Sequence, residues 1–199
     1  MQTTCVGLPL IEIRRIRAVI PMSGQHGKTP DCGYDLVVDI RQIEQELATA
    51  GAQGLLTNSS MARLAYNGLD GRPRVIPIGF FWTGTEIVLS TAASSPKVTA
   101  LSARPDVALS IDSGDRPDTA KALSVRGTAR MKIVNGVTDE YIAGAKKFLD
   151  AGEAAKFEQQ VRSMYDRMAR IAIQPRWVRF YDFGAGRLPK FLSDLAERT

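Results

Sequence analysis

The sequence predicts a mainly β fold, an antiparallel β-barrel with flanking helices, and residues 64–112 carry the main observations. Two turn signals there, at 69–71 and 83–85, contain a glycine, which tolerates the positive φ that tight hairpin turns need. The segments beside them, 74–82 and 86–91, are rich in β-branched and aromatic residues, as half-buried strands are. This stretch therefore predicts one half of a small barrel.

Pro77 lies inside the strand that is predicted over 74–82. Proline has no N–H to donate to a neighbouring strand, so it is tolerated at a sheet edge and not between two paired strands. The sequence therefore predicts that this part of the strand lies at an edge, or beside something other than a strand.

Two helices are predicted before the barrel. Apolar residues recur at helical spacing over 39–50, with charges on the other face. Asp39 is expected to be the N-cap of this helix, and Gly51 is expected to stop it. A second short helix over 52–59 leads into a strand over 62–67.

The segments after residue 91 are expected to complete the barrel and to cover it. Gly127 lies inside an alternating strand, which predicts a bulge or the close approach of another backbone. Pro175 is expected to bend the last strand. The remaining expected elements are a short helix from 98 that closes at 104–106, strands over 107–112, 123–133 and 168–183, and helices over 137–149, 152–166 and 188–198.

Residues 1–38 are broken up by prolines and glycines, and they predict an irregular N-terminal extension to a domain over 39–199. The run SGQHGKT at 23–29 is close to a phosphate-binding loop. The motif G-x-x-x-x-G-K-[ST] would, however, place its first glycine at Met22. The run is therefore interpreted as part of the tail.

The 199 residues are enough for one well-buried domain and few for two. The two cysteines, Cys5 and Cys32, form no CxxC pair, and His26 is the one histidine, so a zinc site built from Cys and His is close to excluded. Reduced cysteines are the simpler expectation. Because there is no apolar run of membrane-spanning length and no secretion signal, we expect no membrane partner and a cytoplasmic location.

The formal net charge of +5 favours an anionic partner. Such a charge fits nucleic acid, and it fits a phosphorylated cofactor equally well. No run of lysines and arginines marks a nucleic-acid-binding arm, which argues against nucleic acid as the partner. A nucleic-acid-binding β-barrel stays open as an alternative.

A loop rich in hydroxyls follows the strand predicted over 86–91. Ser90, Thr91 and Ser95 carry the hydroxyls, and Lys97 follows them at the start of a short helix. Hydroxyls and free backbone N–H groups between a strand end and a helix start suit an anion, and a lysine can donate to phosphate oxygens. From these residues alone, a phosphate site and a polar loop with a solvated lysine both remain open.

The order of the motifs carries more information than any one of them. The pattern GRPRVIPI, a strand that ends in Ser-Thr, S-x-K, a short helix and R-P-D-V before another strand resembles the pyridoxamine 5′-phosphate oxidase-like, FMN-binding split-barrel family. The chain departs from that family at Pro96, where its oxidases often have arginine, so one of two basic phosphate partners is missing. The resemblance implies that Arg74, Val75, Ile76 and Pro77 face the flavin, and that Ser90, Thr91, Ser95 and Lys97 hold its phosphate.

The resemblance also implies a homodimer with two flavin sites at the subunit interface. Arg126, Tyr181 and Arg187 are then candidates for contacts with an anionic substrate or with the second subunit. The run FYDFGAGRL resembles a C-terminal segment of the family, but Pro189 replaces the histidine of the vitamin B6 oxidases. Pyridoxamine phosphate is therefore not the expected substrate.

The function that the resemblance implies is a flavin-dependent oxidoreductase acting on a small molecule. A flavin carries out hydride and electron transfer itself, which agrees with the lack of a Ser-His-Asp arrangement or an acid–base pair. No catalytic residue is therefore assigned. The alternatives are a reductase of the same fold that uses the deazaflavin F420, and a flavin-binding sensor or carrier without turnover.

Overall fold

The computed structural model of the protein describes residues 40–114 and 116–198, which form six helices and six strands. In chain order, the elements are α1 (Ile40–Leu47), α2 (Ala50–Asn58), β1 (Met61–Asn67), β2 (Pro73–Trp82), β3 (Ile87–Ala92), α3 (Pro96–Ala103), β4 (Asp106–Ser113), β5 (Lys121–Asn135), α4 (Asp139–Lys146), α5 (Ala151–Met164), β6 (Arg167–Asp182) and α6 (Lys190–Ala196).

A closed barrel of antiparallel strands organises this part of the chain. Its strand order is β1-β2-β3-β6-β5-β4, and β4 returns to β1. Because successive side chains of a strand point to opposite faces, alternate residues such as Leu64, Leu89 and Ile171 form one fully buried cluster. The predicted fold class, an antiparallel and mainly β barrel with flanking helices, is confirmed.

One end of β2 is paired on both sides and the other end is open. Residues 80–82 pair with β3, whereas residues 73–79 pair with β1 alone. Pro77 lies opposite Arg63 of β1, and its other side meets no strand of the described residues. The predicted edge position of Pro77 is confirmed.

Gly127 marks an irregularity in the pairing of β5 with β6. The register passes from Arg126 opposite Trp177 to Gly127 opposite Pro175, so β6 carries one extra residue there. A Cβ atom at Gly127 would lie 2.4 Å from the carbonyl oxygen of Gln174. The predicted bulge with a close backbone approach is confirmed.

Replacing Gly127 by alanine is expected to lower the free energy of unfolding by about 2 kcal/mol, because the methyl group must push two strands apart. Gly54→Ala in α2 is the matched control, since a Cβ atom there meets nothing within 4 Å. We expect that control to raise stability by up to about 1 kcal/mol through helix propensity. Urea unfolding of both variants measures the difference, and equal effects would contradict the tight approach at Gly127.

Helices α1 to α4 pack on the barrel, with α3 against β1 and β5. α1 packs on β6, α2 on β4, β5 and β6, and α4 on β2 and β3, with α5 against α4. A second, smaller buried cluster joins α4 and α5 to the start of β6. This cluster consists of Val137, Ile142, Val161 and Met168.

α5 begins with a capping box of Asp150 and Glu153, which stabilises its first turn.

The first two helices meet at a different place from the one predicted. α1 ends at Leu47, and the side chain of Thr49 accepts a hydrogen bond from the N–H of Ala52 as the N-cap of α2. Gly51 therefore lies inside α2, and the prediction that it stops the first helix was wrong. A Cβ atom at Gly51 would overlap the ring of Phe180, so the glycine permits close packing of α2 on β6.

The predictions for residues 1–39 lie outside the described residues, and the domain boundary at 38 stays a prediction. They concern the irregular extension, the run at 23–29, the two cysteines, His26 and the Asp39 cap. Within residues 40–114 and 116–198, no helix has both the length and the apolar character needed to cross a bilayer. The same residues contain no group of three or more His, Cys, Asp or Glu that could hold a metal ion.

Candidate functional site

Lys97 is held by two hydroxyls at the end of β3. Its Nζ donates to Ser95 Oγ at 2.8 Å and to Thr91 Oγ1 at 3.2 Å. Thr91 belongs to the end of β3, and Ser95 is the N-cap residue of α3, although its side chain caps no backbone N–H. The structure therefore brings together three of the four residues that were predicted to hold a phosphate.

The positive charge of Lys97 is not neutralised by any carboxylate of the described residues. Partial burial lowers the pKa of Lys97, because the loss of water disfavours the ammonium form. The backbone N–H groups of Ser94 and Lys97 also meet no acceptor in this part of the chain. One ammonium, two hydroxyls and two N–H groups together form a donor set that suits an anion such as phosphate.

Ser90 does not lie with these three residues. Its Oγ is hydrogen bonded to Thr138 Oγ1 at 2.6 Å, and both side chains are buried. Neighbouring residues of a strand point to opposite faces, so the Ser90 side chain points away from Thr91 and Lys97. The structure therefore places Ser90 apart from the other three residues that were predicted to hold the phosphate.

Residues 74–77 lie along the open edge of β2. Ile76 packs against the barrel core, so Val75 and Pro77 face outward, and Val75 is 66% exposed. Arg74 is also exposed, and its guanidinium donates to the Asp70 carboxylate at 3.2 Å. The edge therefore offers a ligand its unpaired backbone groups and the side chains of Val75 and Pro77. Ile76 can offer only its backbone.

The open edge of β2 and the Lys97 group border the same opening in the barrel wall. Phe80 pairs with Leu89, and beyond that pair β2 continues toward Arg74 while β3 continues toward Thr91. The two strands are antiparallel, so both continuations run toward the same end of the barrel without pairing. A ligand in this opening could meet the β2 edge on one side and Lys97 on the other.

Two further site candidates line a groove on the outer face of the barrel. A cavity of about 510 Å³ is bordered by Val75, Arg126, Trp177 and Tyr181. The Arg126 guanidinium lies 4.4 Å from the centroid of the Trp177 ring, which is a cation–π contact. The structure therefore brings Arg126 and Tyr181 together with the outward-facing Val75. A neighbouring cavity of about 480 Å³ shares Arg126 and Trp177.

Trp177 was not predicted as a site residue. Strand alternation was the available signal, because Trp177 and Tyr181 are four residues apart in β6 and share a face.

Arg187 is engaged elsewhere in the chain. Its Nη2 donates to Glu46 Oε2 at 2.6 Å, and the same oxygen accepts the backbone N–H of Phe180 at 2.9 Å. Glu46 is only 9% exposed, so this pair ties α1 to the end of β6. Arg187 therefore does not line the groove with Arg126 and Tyr181. Glu46 was missed because its partners lie far along the chain.

The barrel is antiparallel, and its wall opens between β2 and β3 beside Thr91, Ser95 and Lys97. The family model for pyridoxamine 5′-phosphate oxidase matches residues 48–182, which is more than half of the chain. The chain therefore belongs to the pyridoxamine 5′-phosphate oxidase family, as its sequence motifs indicate. No curated protein matches the chain.

The chain is also similar to several solved structures, and one of them has a TM-score above 0.5. A conserved hypothetical protein from Mycobacterium tuberculosis is 22% identical, with 78% of this chain and 92% of that chain covered and a TM-score of 0.52. An F420 reductase is 24% identical, with 63% and 94% covered and a TM-score of 0.48. HutZ, a heme storage protein from Vibrio cholerae, is 16% identical, with 65% and 90% covered and a TM-score of 0.49. At these identities the likeness concerns the fold alone.

Proposed function

We propose that the protein is a flavin-dependent oxidoreductase that binds FMN with the phosphate at Lys97. The proposal rests on the ammonium of Lys97, which has two hydroxyl partners and no carboxylate among the described residues. A phosphate monoester carries a charge of about −1.5 to −2 at neutral pH and three strong acceptor oxygens. It would complete the hydrogen bonds of Lys97, Thr91 and Ser95 and of the free backbone N–H groups.

The flavin ring would be flanked by residues 74–77. The unpaired edge of β2 supplies backbone donors and acceptors, and Val75 and Pro77 supply apolar surface that excludes water from the ring. When bound, FMN supplies hydride and electron transfer, so the chain itself has to bind, orient and shield the reacting groups. No residue is assigned as an acid or a base.

The second copy of the chain and the substrate would meet on the outer face of the barrel. Arg126, Trp177 and Tyr181 offer a cation and two aromatic rings in an open groove, which suits a homodimer contact or a small anionic substrate. Pro189 stands where the vitamin B6 oxidases have histidine, so the substrate proposed here is a small molecule other than pyridoxamine phosphate. A cytoplasmic location is part of the same proposal.

Titration of the purified protein with FMN, followed by visible absorbance, tests the cofactor. We expect a saturable shift of the flavin bands, and a mass by light scattering of twice the 21.7 kDa of one chain. Both FMN and F420 carry a phosphate-bearing tail, so either could bind at Lys97. A parallel titration with F420 shows which of the two cofactors the protein prefers. No binding of FMN would reject the proposal. FMN binding without oxidation of reduced nicotinamide or reduction of any acceptor would favour the carrier over the enzyme.

A further inference from the structure

A separate cavity of about 260 Å³ lies between α4 and the outer face of β2 and β3; we call it the helix–sheet cavity. Gly79 and Ser90 belong to its strand wall, and Tyr141, Phe148 and Phe157 form an aromatic wall on the helix side. At about 30 Å³ for each water-sized group, the space holds about nine non-hydrogen atoms.

Glycine in α4 brings the helix close to β2. A Cβ atom at Gly144 would lie 3.2 Å from the carbonyl oxygen of Phe80, which is tighter than ordinary contact. The aromatic wall is itself packed, because the rings of Tyr141 and Phe157 have centroids 5.8 Å apart. Phe148 also lines the cavity and is half exposed. The cavity therefore has firm apolar walls of a size that suits one aromatic ring.

The lining contains no lysine or arginine. Its one charged residue is Glu140, whose carboxylate accepts from Arg170 Nε at 2.7 Å. Arg170 lies opposite Ser90 on β6 and is engaged by Glu140 and Glu86, so a carboxylate or a phosphate in the cavity would find no free cation in the lining, which disfavours anionic ligands. The charge of the lining therefore selects neutral molecules.

Ser90 provides a hydrogen-bond donor in the cavity. Ser90 and Thr138 have two hydroxyl protons but share a single hydrogen bond, and Thr138 Oγ1 also accepts the N–H of Tyr141 at 3.3 Å. If Ser90 donated to Thr138, the Thr138 proton would be buried without an acceptor in the described residues, which is costly. The favourable arrangement has Thr138 donating, and the Ser90 proton is then free to point into the cavity.

We infer that the helix–sheet cavity binds a small neutral aromatic molecule that carries a carbonyl oxygen. The ring lies against Tyr141, Phe148 and Phe157, and the carbonyl oxygen accepts the free proton of Ser90. Ser90 and Thr91 face opposite sides of β3, so this site is distinct from the anion site at Lys97. The inference about the helix–sheet cavity does not depend on which cofactor binds at Lys97.

The test compares three probes by ligand-observed NMR with the full-length protein. Acetophenone has the expected size and a carbonyl oxygen, ethylbenzene lacks the oxygen, and benzoate has the size but is anionic. We expect acetophenone to bind with a Kd of about 1 mM or below, and benzoate at least about tenfold more weakly. Equal binding of acetophenone and benzoate would overturn the inference.

Two variants and one control variant locate the site. Ser90→Ala should weaken acetophenone about five- to tenfold and leave ethylbenzene unchanged, because only acetophenone accepts a hydrogen bond from Ser90, whereas the loss of the Thr138 acceptor is common to both probes. Ser163→Ala, which removes an exposed hydroxyl from α5, is the matched control and should change neither. Ala145→Phe should block both probes by filling the cavity while leaving FMN affinity unchanged. The inference is overturned if acetophenone binds folded Ala145→Phe as it binds the unaltered protein.

Discussion

Replacing Lys97 by alanine is expected to weaken FMN binding about 100-fold. The ammonium is the one full charge in the predicted phosphate site, and a hydrogen bond between charged groups contributes about 1.5–3 kcal/mol. Proline precedes Lys97 where oxidases of the family often have arginine, so no neighbouring residue of the motif replaces the lost charge. Titration of FMN, followed by absorbance or by quenching of flavin fluorescence, gives both dissociation constants.

Riboflavin distinguishes a phosphate contact from a structural effect, since it has the same ring and no phosphate. Lys97→Ala should leave riboflavin affinity within about twofold of the original value if the lysine acts on the phosphate alone. Lys147→Ala is the matched control for Lys97→Ala, because burial lowers the pKa of Lys147 too. The Nζ of Lys147 lies 4.8 Å from the centroid of the Phe81 ring. Equal losses of FMN and riboflavin in Lys97→Ala would show that the lysine does not bind phosphate.

Glu46→Ala is expected to lower the free energy of unfolding by about 2–3 kcal/mol. The variant would leave the buried N–H of Phe180 without an acceptor and would remove the partner that Arg187 holds at 2.6 Å. Loss of one partner from a buried polar group costs more than the hydrogen bond itself contributes. Urea unfolding followed by circular dichroism measures the change, and the slope of the transition shows whether the folded state is otherwise intact.

Glu158 in α5 provides a matched control for Glu46. Glu158 also pairs with two cations, Lys146 and Arg162, but both cations are exposed and Glu158 is only half-buried. Because water and salt screen such pairs, Glu158→Ala should shift the urea midpoint far less than Glu46→Ala. Glu46→Gln should fall between the two, since the amide oxygen can still accept the N–H of Phe180. Similar midpoints for the two alanine variants would contradict the anchoring role of Glu46.

Predictions that depend on local chemistry agree with the structure. The turns at Gly71 and Gly84 follow from the positive φ values of 74° and 99° that only glycine adopts without strain. The edge position of Pro77 follows from its missing N–H. Thr91, Ser95 and Lys97 meet because only three residues, 93–95, connect the end of β3 to the start of α3.

Predictions that depended on which distant segments meet were less complete. Ser90 was grouped with Thr91 because they are neighbours, but its partner Thr138 lies 48 residues away in the chain. Arg187 was treated as free for a substrate, but it pairs with Glu46 over a separation of 141 residues. Family motifs in the sequence could not reveal either partner.

The sequence by itself determined the strands, the turns, the open edge of β2 and the short lysine loop, because each depends on the conformational preferences of residues within one segment. Only the tertiary structure decided that Ser90 faces a second cavity, that Arg126 lies over Trp177 and that Glu46 is buried beneath Arg187. These contacts form when β5 pairs with β6 and when α1 and α4 pack on the barrel. Folding brings together segments that are far apart in the chain, and the local conformational preferences of each segment do not determine which other segment it contacts.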